Sequence, residues 1–117
     1  MDRTAFERIV EEEYGALPVH FRETMENILI VVEDLPPPAR RRKGLLLGEY
    51  HGIPLTKRGA DYGMYPVVPD TITLYQINLE DLAEQEGDLR RHIRETLIHE
   101  IGHYFGMSEA EIRRAGY

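Results

Sequence analysis

The sequence predicts an α/β protein of the α+β kind, with a helix at each end and three short strands between. Three observations predict it. Apolar residues recur at helical spacing over the opening MDRTAFERIVEEEYG and again over 88–105. Three short runs, ILIVVED, LLLGEYHG and TITLYQINLE, are β-branched or alternating and are set apart by prolines and glycines. A chain of 117 residues is long enough for one modest core, which makes 1–117 a single domain.

In chain order, Thr4 and Glu7 have the spacing of a capping box, and Phe6, Ile9, Val10 and Tyr14 follow on one helical face. Gly15 and Pro18 stop that helix, and PVHFRETMEN adds one or two turns. ILIVVED is too short and too apolar for a surface helix and is expected as a central strand, ended by PPPAR. The basic run Arg40-Arg41-Arg42-Lys43 then reads as a solvated loop. LLLGEYHG is a second strand weakened by its glycines, and GIPLTKRGADYGMYPVVP is a loop. In TITLYQINLE, Ile72, Leu74 and Gln76 share one face and Thr71, Thr73 and Tyr75 the other. Asn78 is expected to cap a short helix running to about residue 84, which Gly87 breaks. The longest helix covers 88–105. Gly106 ends it, and Ser108 with Glu111 caps a last short helix.

Composition excludes several classes. The net charge of −7 argues against a nucleic-acid binder, which would carry a basic face. The absence of cysteine rules out a disulfide scaffold, a thiolate metal site and a cysteine nucleophile. The charged start does not resemble a signal peptide, and no apolar run approaches the length of a membrane span. The cytoplasm is the expected location.

Chemistry concentrates in HEIGHYFGMSE, residues 99–109. Residues four apart on a helix differ by about 40° around the axis, so His99 and His103 can reach one ion. Glu100 lies one step round, beside the ion, where a carboxylate can take a proton from the attacking water. Ile93, Leu97, Ile101 and Tyr104 recur on the opposite side, with Ile98 and Phe105 widening that stripe toward the core. Gly106 permits the left-handed turn that brings Glu109 back as a third ligand. By chance, H-E-x-x-H arises in a chain of this length on the order of once in a few hundred sequences. His92 shares the azimuth of His99 but lies roughly 10 Å along the axis, too far for the same ion. Glu111 belongs to the capping box.

HEIGHYFGMSE resembles the HExxHxxGxxH/D signature of metzincin and Asp-zincin peptidases. The chain as a whole resembles the small bacterial zincin-like metallopeptidases, the mini-zincins, from NILIVVED through PDTITLYQINLE to the terminal GY. That resemblance implies a minimal zincin-like domain: a small mixed three-stranded sheet packed with an N-terminal helix and a C-terminal active-site helix. It further implies His99, His103 and Glu109 as ligands of Zn²⁺, Glu100 as general base, and strand 71–76 as the cleft edge that pairs with an extended peptide. Position 109 departs from the family, which usually has Asp there. A second departure is that only AEIRRAGY follows the motif, with no methionine turn. Tyr117 is expected to support the metal histidines in its place.

The expectation is therefore a zinc-dependent peptidase acting on a peptide or protein substrate, with no nucleic-acid or membrane partner and with a homodimer as one way to complete the groove. Tyr62, Tyr65, Tyr75 and Tyr104 are alternative phenols for stabilising the oxyanion. The alternative reading is a catalytically inactive metal- or peptide-binding domain that keeps the fold.

Overall fold

Helix α1 spans Arg3–Gly15 and begins two residues earlier than the capping-box spacing predicts. Asp2 is the cap: its side chain accepts the Ala5 N–H at 2.8 Å, leaving Thr4 inside the first turn. A short α2 (Val19–Glu23) leads into strand β1 (Ile28–Glu33). These elements belong to a computed structural model that describes residues 1–43, 45–63 and 68–116. Strands β2 (Gly48–His51) and β3 (Asp70–Tyr75) follow, then α3 (Gln76–Leu82), α4 (Glu86–Tyr104) and α5 (Glu109–Arg114).

The sheet is mixed and three-stranded, as expected, but its order is β1-β3-β2. β1 runs parallel to β3 and β2 antiparallel to it. The apolar run ILIVVED is therefore an edge strand, with Leu29 54% exposed, and TITLY is the central one. Every residue of β3 except Thr71 is buried, so its alternation separates two covered faces and not a dry face from a wet one. Gln76 does not continue the strand. It starts α3, where its amide donates to the Met1 carbonyl at 2.9 Å.

Asn78 is not a cap either. It lies within α3 and donates to the Leu46 carbonyl at 2.8 Å, which ties the approach to β2 down onto this helix. The basic run forms a 3-10 turn (Pro38–Lys43). Its Arg40 is ion-paired with Glu49 of β2, so it is not simply solvated.

The core lies between the sheet and two helices. Phe6, Ile9 and Val10 of α1 meet Ile72 and Leu74 of β3 and Leu89, Ile93, Leu97 and Ile101 of α4. Arg94 and Arg90 of α4 reach the buried Glu13 of α1, Arg94 at 3.0 Å, and fix how the two helices lie together. Gly48, which weakened the strand prediction, has a packing reason. A Cβ there would stand 2.8 Å from the Thr96 side chain, so only glycine lets β2 lie this close to α4. No helix among the described residues is long and apolar enough to cross a membrane.

Candidate metal centre

One face of α4 turns Leu89, Ile93, Leu97, Ile101 and Tyr104 into the core, each no more than 4% exposed. That burial fixes the rotation of the helix and leaves His99 and His103 facing a cleft of about 820 Å³. The two imidazoles sit edge to face with centroids 5.3 Å apart.

The helix ends in a Schellman turn. Gly106 N–H donates to the His103 carbonyl at 2.9 Å, Met107 N–H donates to the Gly102 carbonyl at 3.0 Å, and Gly106 takes φ +88°. Ser108 then caps α5 in a reciprocal box with Glu111. Between these two local motifs Glu109 is swung back over α4. Its Oε1 lies 3.0 Å from His99 Nε2 and 2.6 Å from His103 Nε2. One ligand atom from each of the three residues lies within 4.8 Å of the others, a group that could hold a metal ion.

Several features fit that role. His103 Nδ1 lies 3.1 Å from the Met107 carbonyl, a contact in which that ring nitrogen can only donate, and it orients the ring so that Nε2 faces Glu109. Hydrogen bonding to His99, and then to His103, holds the Glu109 carboxyl below its ordinary range and keeps it anionic. Two nitrogens and one carboxylate oxygen are a borderline donor set suited to zinc. Gly102, an unassigned position within the motif, has a role too: a Cβ there would lie 2.9 Å from Ile112, so glycine seats α5 against α4.

Glu100 is 7% exposed. Burial pushes its carboxyl up to about 7, against the pull of the His103 imidazole and a backbone hydrogen bond with Tyr50, while the charge of Glu109 adds to the rise. It lines the same cleft as the three ligand groups.

The strand beside this cleft is β2 and not, as the resemblance implies, residues 71–76. β3 is paired on both sides and has no free edge. Tyr75 N–H donates to the Leu47 carbonyl at 3.0 Å, which sets the alternation along β2. Residues 47, 49 and 51 turn their main chain toward β3, while Gly48 and Tyr50 turn theirs outward.

Of the tyrosines expected near an oxyanion, Tyr104 donates its hydroxyl proton to the Glu26 carbonyl at 3.1 Å and Tyr75 to Glu49 at 2.7 Å, while Tyr62 accepts a hydrogen bond from Asn27 at 3.0 Å. Tyr50, which sequence reasoning passed over, borders the cleft, but its hydroxyl donates to Asp70. Burial, with that hydrogen bond, pushes its phenol well above the usual range. Tyr65 and Tyr117 lie outside the described residues, as does the expected support from Tyr117.

The network behind Tyr50 was also missed. Asp70, 2% exposed, accepts from Arg58 at 2.8 Å and from Ile53 N–H at 3.2 Å, and Arg58 stacks over Tyr62 and Tyr104. This network pins the loop between β2 and β3 that carries the far wall of the cleft. No sequence spacing marks it, because its members meet only in the fold.

The fold and the site place the chain among the zincins. A family model described as zincin-like metallopeptidase matches residues 25–117, and the chain belongs to that family. Among solved structures, it is similar to a conserved hypothetical protein from T. thermophilus. The identity is 24% and the TM-score 0.59, over 90% of this chain and 94% of that one, a likeness of fold. No curated protein matches.

Proposed function

We propose that the protein is a zinc-dependent peptidase in which His99, His103 and Glu109 hold the ion and Glu100 is the general base. The observation that carries this reading is the convergence of three ligand atoms within 4.8 Å, beside a buried carboxylate opening on the same cleft. When bound, zinc supplies a positive charge that polarises a peptide carbonyl and acidifies water.

The chain's own residues supply the rest. Glu100 takes a proton from the attacking water and passes it to the leaving amine nitrogen. An extended substrate docks along β2, an edge strand of the sheet, through the outward carbonyl of the half-exposed Tyr50. The Tyr50 backbone hydrogen bond holds Glu100 against that edge, which sets the base beside the bond to be cleaved.

A peptide-binding domain without turnover is the second reading. It is favoured by the Tyr75 and Tyr104 hydroxyls, which donate to Glu49 and to the Glu26 carbonyl, away from the ligand atoms.

Zinc content per chain, measured by mass spectrometry, tests the centre. About one equivalent is expected in the natural chain, with loss in His99→Ala and Glu109→Ala. Glu100→Gln is expected to keep the metal and to lose cleavage of unstructured peptides. Failure to take up zinc on titration would sink the proposal, and full cleavage by Glu100→Gln would remove Glu100 as the base.

A further inference from the structure

The cleft has a chemical polarity that the metal centre does not account for. Among its lining residues are two cations, Lys57 and Arg113. Neither side chain has an ion pair or a hydrogen bond among the described residues, whereas Arg3, Arg58, Arg90 and Arg94 each have a carboxylate partner. For Arg113 this is unexpected. It follows Glu109 by four residues on α5, the spacing at which Glu and Arg ordinarily pair on a helix. The pair is not made, because the Glu109 carboxylate is turned onto His99 and His103. Glu49, another carboxylate of the cleft, is likewise taken by Tyr75 and Arg40.

The two cations flank one turn. Thr56, next to Lys57, approaches Gly106 so closely that a Cβ there would lie 2.3 Å from its hydroxyl oxygen. Arg113 rises from the helix that the same turn introduces. In a chain of net charge −7, two uncompensated cations lining one cleft mark where an anionic group is attracted.

We infer that Lys57 and Arg113 select substrates carrying a carboxylate on the α5 side of the cleft. The group is either an acidic side chain or the free C-terminus of the peptide. Their ammonium and guanidinium donors would form charge-assisted hydrogen bonds to it. The inference rests on the peptidase reading, since it assigns chemistry to the substrate of that same cleft.

Equilibrium binding separates the two. The probes are fluorescein-labelled alanine-rich hexapeptides with Glu or Gln at each position in turn, as free acids and as C-terminal amides. They are titrated by anisotropy onto zinc-loaded Glu100→Gln protein, so that no turnover intervenes. The expected result is that one carboxylate position binds about tenfold tighter than its neutral counterpart. That gain should weaken with added salt and disappear in Lys57→Gln/Arg113→Gln. If the gain follows Glu it belongs to a side chain, and if it follows the free acid it belongs to the C-terminus. Equal binding of acidic and neutral peptides overturns the inference and leaves the peptidase reading intact. A gain that survives the double substitution overturns the assignment to these two residues. Absence of binding by every peptide overturns the peptide reading itself.

Discussion

Glu100 is a carboxyl group that the fold has taken out of water, and its protonation is coupled to stability. With burial holding its folded-state pKa at about 7, against an ordinary 4.5, the metal-free folded chain keeps a proton that the unfolded chain has released between those values. Stability from this group is therefore greatest below the lower value and falls as pH rises toward the higher one. Glu100→Gln removes the loss. In metal-free protein its advantage in melting should be absent near about pH 4 and grow to on the order of 1–3 kcal/mol by about pH 8. A pH-independent difference would show that the carboxyl is not desolvated in solution. Glu109 behaves oppositely: the imidazoles keep its carboxyl ionised, as a ligand needs.

The turn between α4 and α5 places Glu109, and it is specified by two local motifs with a tertiary clamp. Gly106 takes a positive φ that L side chains rarely adopt, and Thr56 occupies the space a Cβ would need. Gly106→Ala should cost about 2–4 kcal/mol from strain and overlap together, and should weaken metal binding because the frame carrying Met107 and Glu109 must shift. Chemical unfolding and metal titration on the same samples check both; a stable variant with normal affinity would mean that the clamp is slack. β2 depends on glycine in another way. Gly48 is needed for close approach to α4, which is why a strand with poor intrinsic propensity still forms beside the site.

The molecule holds the far wall of the cleft through one buried ion pair. Arg58 and Asp70, whose side chains are 6% and 2% exposed, join the β2–β3 loop to the central strand. Arg58→Met would leave the Asp70 carboxylate buried and unpaired and should destabilise the fold by about 3–5 kcal/mol. The measurement is urea unfolding with an unchanged slope, and a loss under about 1 kcal/mol would show that water reaches Asp70 and replaces the guanidinium.

The metal-site reading was available from the sequence because its parts lie close together along the chain. Helical periodicity set both the buried stripe and the histidine face, and Gly106 with the Ser108–Glu111 box marked the turn, all within a dozen or so residues. Fold class followed from periodicities that are equally local. Only the tertiary structure decided which strand is central, which edge borders the cleft, and that Asp70 and Arg58 meet. ILIVVED is apolar whether it sits at an edge or in the middle, since hydrophobicity reports burial and not neighbours. Strand pairing and buried ion pairs join residues far apart in the chain, and the closure of those loops, together with the packing of the core, selects one arrangement from several that local pattern permits.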